Sequence, residues 1–471
     1  MGASFYLYAI IASYNNAVLD WENTKTVAGF IRLITRSAYG SFKAYQSSGA
    51  NIANQISDII SGLVFAFMDF KPLGIIFICF GIYAGAVQKY EKKFVGFLYI
   101  STISHLLFLF YTNFVLTTPG TSGMFERFLI PLYFVLIFFF GIGADYFYKH
   151  IFSKVVQLLK KSSLKRFVEV SYFIFISLFI LILALQNNKI IKLVPRLHYF
   201  DTLSKDILRT VPKGGILSPQ SDTTTFVVSY VIYGLGERPD IVLFHLGLVD
   251  KENYIRMLKT KHPSLIISGL LKSSESFNSF IAKNSIKGGY FSEKEQNIGT
   301  WRPYGLLWKY YPDNASAASD SANLLSYSKK LWTKIYTIPK LTDSERSVFH
   351  LNSVEQFYIN AYQNYAKLLV YMSEYNEAEE VLKKITYQYK KNDIESEAAY
   401  MNILVLQNKC NEALSIAAHI NIEQSIKTHP EFIQSAIRYL KKCEPQNGHI
   451  IEYQRLFEIF QKSSKTNLNA F

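Results

Sequence analysis

Long uncharged apolar runs fill the chain up to Asn187; from Asn188 onward none is long enough to cross a bilayer. A helix needs roughly 17–25 apolar residues to span a hydrocarbon core. Four segments fit that pattern: Pro72–Val87, Phe94–Thr117, Phe128–Ala144 and Val170–Leu185. Ile52–Phe70 is apolar enough to join them, but it carries Asn54, Gln55, Asp58 and Asp69. Charges in lipid are costly, so this stretch reads better as a helix lying along the interface. A fifth span is the alternative.

Beyond the apolar runs the periodicity changes. Tyr199–Val211 has a helical pattern. Ile216–Ser218, Asp240–Leu246 and Ser264–Ser268 read as strands, separated by helical stretches at Thr225–Tyr233 and Asn253–His262. Strands alternating with helices predict a small parallel α/β layer. From Val354 the pattern is helical throughout. Tyr375-Asn-Glu-Ala378 recurs as Cys410-Asn-Glu-Ala413, displaced by 35 residues. A period near 34 fits tetratricopeptide-like helix pairs. The pairs would be Tyr358–Met372 with Asn376–Tyr389, Glu397–Gln407 with Asn411–His419, and Pro430–Lys441 with His449–Lys462. Such stacks suit protein contact better than catalysis. The expected fold class is thus a polytopic α-helical membrane domain (1–187), a small extracytoplasmic α/β domain (188–347) and an α-helical tetratricopeptide-like tail (348–471).

Charge sets the topology. Lys89, Lys92 and Lys93 form one basic loop; Lys149, Lys154, Lys160, Lys161, Lys165 and Arg166 form another. Both should be cytoplasmic, which puts the loop Thr117–Glu126 and residues 188–471 on the outer side. The net charge of +14 does not argue for nucleic acid: many cations flank membrane runs, and no zinc-finger or basic-zipper pattern occurs. The cysteines are Cys79, Cys410 and Cys443. The last two could pair in an extracytoplasmic domain, and neither belongs to a CxxC motif, so no metal site is supported. No cofactor motif of the GxGxxG or Walker kind is found. The chain opens inside an apolar run, Phe5–Ala12, with no basic flank and no cleavage site. It reads as the tail of a helix whose beginning is missing rather than as a signal peptide.

Candidate chemistry is sparse. Asp20-Trp21-Glu22 follows the first apolar run; an acid there is a candidate general base, and a helix N-cap is the simpler reading. Glu126-Arg127 precedes a span, where an arginine can grip a lipid-linked phosphate bidentately or merely snorkel. His105 lies within a span, either as a functional group or as a neutral side chain bonded to a neighbouring helix. Ser221-Asp222 follows the first strand, where ligands gather in open sheets; an N-cap explains it more simply.

Several of these stretches together resemble one family. Tyr6-Leu-Tyr8, Leu19-Asp-Trp21-x-Asn23, Phe30, Thr35-Arg36 and Tyr39-Gly40 come first, followed by Glu126-Arg-Phe-Leu-Ile-Pro131. Leu208–Pro212, Gly215-Ile-Leu, Ser221-Asp-x-x-Thr-Phe226, Arg238-Pro-Asp240, Tyr254-Ile-Arg256 and Pro303-Tyr-Gly-Leu306 complete the set. In this order they resemble the bacterial domain-of-unknown-function family 2723. That family includes relatives of the animal transmembrane protein 260 O-mannosyltransferases and belongs to the GT-C type of membrane glycosyltransferases. The resemblance covers roughly Phe5 to Leu307. It implies an integral protein of the bacterial inner membrane that moves a sugar from a polyprenyl-phosphate donor to an extracytoplasmic acceptor. It also implies Arg127, Glu126, Asp20, Trp21 and Arg36 as substrate-binding residues. The family's presumed catalytic acid lies further N-terminal, so no residue here inherits that role: Glu22 stands where the family often has Gly, and Asp20 where it has Asn or Asp. The resemblance therefore implies the C-terminal part of an enzyme, without its own general base. Its partners would be the bilayer, the lipid-linked donor and a protein bound at the repeats. The alternative is a non-catalytic membrane-anchored protein whose external repeats bind a partner.

Overall fold

The computed structural model describes residues 4–15, 20, 22–35, 52–88, 91–112, 119–159, 162–191, 198–346, 348–389, 393–420 and 433–468. The chain forms two compact units, Met1–Arg196 and Leu197–Phe471.

The first unit is helical: α1 (Ser4–Tyr14), α2 (Val27–Thr35), α3 (Ile52–Val87), α4 (Lys92–Thr112), α5 (Pro119–Phe147) and α6 (Ser162–Ile191). Among the described residues, four helices are long and apolar enough to cross a membrane: Gln55–Val87, Lys92–Tyr111, Phe128–Phe152 and Leu164–Gln186. This is a membrane protein by those spans. Ile52–Phe70 does not stand apart from them. It runs into Pro72–Val87 through a kink at Lys71, which has a left-handed φ of 60°. Proline disfavours helical backbone in the residue before it and has no N–H to bond, so Pro72 sets the position of the break. The first half of α3 packs on α4 and α5: Gly62 faces Leu109, Leu129 and Phe125, and Tyr133 donates to Asp69 at 2.6 Å. Asp58 is buried. Of the polar residues that suggested an interfacial helix, Asp58 faces protein, while Asp69 is exposed and bonded to Tyr133.

Helices α3 and α5 run parallel and touch backbone to backbone. A Cβ on Gly81 would lie 1.7 Å from the Phe139 carbonyl oxygen, and one on Gly143 would lie 1.8 Å from that of Phe77. Small residues that admit such approach are what hold helices together in lipid, where apolar burial gives little advantage. Edge-on rings fill the remaining gaps, Phe77 meeting both Phe140 and Phe147.

The second unit begins with α7 (His198–Thr210). Its sheet has strands β1 (Ile216–Ser218), β2 (Val242–Leu243), β3 (Tyr290–Ser292), β4 (Thr300–Tyr304) and β5 (Leu307–Tyr311), in the order β2-β1-β3-β5-β4. β2, β1 and β3 are parallel, and β5 and β4 add an antiparallel hairpin. The expected strand at Ser264–Ser268 does not form; that stretch is irregular. Asn284 caps it instead, accepting from Ile266 N and donating to Ile266 O. The third parallel strand is β3, beyond α8 (Asp222–Ser229), α9 (Glu252–Lys261) and α10 (Ser274–Gly288).

Arg238 ties this layer to α7. Its guanidinium grips Asp240 through two contacts of 2.9 Å and donates to the carbonyls of Leu208 and Val211 at the helix's C-terminal end. The bonds from Arg238, then one from Gly214 N, pull the Asp240 carboxyl down to about 2.

After α11 (Ser321–Lys334) come three helical hairpins among the described residues: α12 (Phe349–Tyr371) with α13 (Tyr375–Lys384), α14 (Ile394–Leu406) with α15 (Cys410–Ile420), and α16 (Ile433–Cys443) with α17 (His449–Leu468). The sequence echo is a structural one. Ser373 and Asn408 both turn with φ 60°. Glu374 N bonds Leu369 O, and Lys409 N bonds Leu404 O. Ala378 and Ala413 are both fully buried, at the same place in each second helix. Cys410 and Cys443 are disulfide-bonded, with Cα atoms 5.4 Å apart, and join the second hairpin to the third. One apolar core runs from Leu203 and Leu217 through Tyr358 and Leu404 to Tyr439. Inside it Tyr358 donates to the buried Asp206 at 2.8 Å. Burial drives that carboxyl's pKa up, against the pull of Tyr358 and Arg209.

Candidate functional site

The sequence-derived candidates are not brought together. Trp21 and Arg36 lie outside the described residues. Glu126 and Arg127 sit in the backbone of α5, two turns from its start, so the stretch read as an external loop is helical from Pro119. Asp20 is half-buried and holds its own loop: it accepts from Ser13 Oγ and from Thr24 N at 3.2 Å. Glu22 pairs with Arg32 at 3.2 Å. These bonds give both acids a local structural task, although Asp20 caps a turn and the helix itself starts only at Val27. His105 stacks near Phe108 on its own helix, and its Nε2 has no hydrogen-bond partner among the described residues.

The densest polar arrangement is in the second unit, at the carboxyl ends of β1 and β3. β1 has β2 on one side and β3 on the other, so the chain crosses over between them, and clefts at such crossovers are where open sheets bind ligands. Ser218 and Ser292 end the two strands in register. Glu293 follows, and its Oε2 accepts from Gln220 N at 2.9 Å, Ser221 N at 2.9 Å and Thr224 Oγ1. Ser221 caps α8 by accepting from Thr224 N, so the N-cap reading of Ser221 holds. The amides of Gln220 and Ser221, directly before this helix, are occupied by the chain's own carboxylate. Gln220 and Gln296 both donate to Ser292 Oγ, at 2.8 and 3.2 Å.

A cleft of about 370 Å³ opens beside this network. Glu293, Lys294 and Glu295 line one wall, and Leu306 and Trp308 another. Phe357, Asn360 and Asn364 of α12 close it. His245, after β2, is buried with Nε2 unpartnered among the described residues, and desolvation lowers its pKa to about 4; it is a neutral packing residue near physiological pH. No group of three or more metal-ligating side chains is found among the described residues.

Sequence reasoning missed Glu293 because it placed the third strand too early. The available signal was an acid directly after Tyr290-Phe-Ser292, itself preceded by Gly288-Gly289. No protein-family model matches the chain, and no solved structure matches it.

Proposed function

We propose that this chain is part of a membrane glycosyltransferase of the GT-C type, which takes its sugar from a polyprenyl-phosphate donor and delivers it to an extracytoplasmic acceptor. The observation that carries the reading is the position of Arg127. In the sequence it directly precedes the apolar run Phe128–Ala144. Headgroup phosphates lie at that depth, and a guanidinium meets a phosphate through two parallel hydrogen bonds, which an ammonium cannot do. The family resemblance makes Glu126, Asp20, Trp21 and Arg36 the further substrate-binding residues in this reading. Residues 188–471 are extracytoplasmic in this reading, in a bacterial inner-membrane protein. The Cys410–Cys443 bond supports that side, since structural disulfides persist in oxidising compartments.

The test is donor use by the native gene product in membranes. Arg127→Lys should lower catalytic efficiency at limiting donor by roughly ten- to a hundredfold, the value of a charge-assisted bond. Glu126→Gln should act in the same direction but more mildly. Wild-type turnover by Arg127→Lys at equal expression would reduce Arg127 to a snorkelling cation.

A second reading, a non-catalytic anchor whose repeats bind a protein, draws on a groove of about 240 Å³ across the hairpins. Lys367, Asn402 and Arg438 line it one repeat apart. A partner retained by Arg127→Lys but lost on Arg438→Glu would favour it.

A further inference from the structure

We infer that the cleft between the carboxyl end of β3, the β4–β5 hairpin and α12 binds a neutral saccharide. The inference rests on the cleft's own chemistry and stands whether or not the chain transfers sugars. Its volume, about 370 Å³, lies within the range of small-ligand clefts and suits a short sugar better than a folded partner.

Its walls divide into the two surfaces a pyranose needs. Trp308 and Phe357 are half-buried and contribute aromatic surface. The C–H face of a sugar ring packs on such a surface, and the indole keeps a polar edge available. Asn364 lines the cleft from the same helix as Phe357, two turns further on. Its amide offers both a donor and an acceptor, which matches adjacent hydroxyls that both donate and accept.

Glu293 adds a fixed acceptor. Its Oε2 is held by two backbone N–H groups and a hydroxyl. Its Oε1 accepts no hydrogen bond among the described residues, so ordering the carboxylate for a ligand costs little. Charge sets the class of sugar. Two carboxylates, Glu293 and Glu295, face one ammonium, Lys294, so acidic sugars and sugar phosphates are disfavoured. An extended peptide is disfavoured too: it would add to an open strand edge, and at Trp308 β5 is already paired with both β3 and β4.

The experiment uses the full chain in a detergent with a polyoxyethylene head, because maltoside heads would compete. Saturation-transfer NMR and calorimetry follow methyl α-mannoside, mannotriose, N-acetylglucosamine and glucuronate, with an uncharged tetrapeptide as the control. Saturable binding of a neutral sugar is expected, with a dissociation constant on the order of 1 mM or tighter and at least about tenfold preference over glucuronate. Trp308→Ala should weaken it at least about tenfold. Trp308→Phe, which keeps a stacking ring, should stay within a few-fold, and Asn364→Ala should weaken it with an unchanged melting temperature. These two variants read the site even if Trp308→Ala misfolds. No saturable sugar binding, equal binding by Asn364→Ala and wild type, or tighter binding of the tetrapeptide would overturn the inference.

Discussion

The two units use apolar side chains in opposite ways. In the membrane unit, Phe97, Ile100 and Leu107 of α4 are more than half exposed. In the span Leu164–Gln186 only 6% of the apolar window is buried within the protein, against 39% for Phe128–Phe152. Lipid covers those faces, so exposure there is ordinary. In the second unit the large apolar residues converge on shared cores, and tyrosines enter with their hydroxyls bonded, as Tyr358 is to Asp206. One unit is held by close backbone approach and the other by removing surface from water. Substitutions should therefore hurt for different reasons in each.

The sharpest break should come at Gly81. Gly81→Leu drives side-chain atoms into the Phe139 carbonyl. It should cost about 3 kcal/mol or more, seen as loss of a monodisperse species in detergent. The neighbouring change Ile82→Leu, at a lipid-exposed position, should be nearly silent. Equal tolerance at both positions would mean that α3 and α5 are not in backbone contact.

Next in size is the disulfide. Cys410→Ser with Cys443→Ser releases a loop of 33 residues and should cost about 3–4 kcal/mol by the loop-entropy argument. The thermal transition of the second unit should fall, and reductant should reproduce the drop in the wild type but not in the double variant.

The Arg238–Asp240 pair should give a smaller, pH-dependent effect. Asp240 is depressed to about 2 in the fold, so its contribution is present above pH 3.8, the ordinary value, and is lost as pH falls toward about 2. The lost stability should be about 2 kcal/mol, and Asp240→Asn should flatten that part of the acid limb. Asp206 has the opposite sign: burial raises its pKa, so its contribution is largest below the ordinary carboxylate value and is lost as pH rises through the raised one.

The mildest test is Ser221→Ala, which removes the cap on α8. It should cost about 1 kcal/mol without disturbing sugar binding. A loss much above that would show that the cap also holds Glu293 in place.

The sequence made some features plain and concealed others for physical reasons. The spans were legible because lipid demands unbroken apolar length. The helical character of the tail was legible from its apolar spacing, and Ala378 and Ala413, at matching places in the sequence echo, are both buried. The first half of α3 was harder to read: Asp58 and Asp69 look like interface residues until their protein surroundings are known, and pairing across helices leaves no local pattern. The third strand was misplaced because Ser264–Ser268 is as β-prone as Tyr290–Ser292. Non-local pairing with β1 and β5 decided between them. The partners of Glu293 were illegible for the same cause, since they include Gln220, 73 residues away.

The carboxylate of Glu293 has a consequence for which ligands this fold can accommodate. In open α/β sheets the first helix start is the usual berth for a nucleotide's phosphates. Here a carboxylate already stands on the N–H groups of Gln220 and Ser221, directly ahead of the helix. An arriving phosphate would meet like charge at that point, so this helix start disfavours nucleotides.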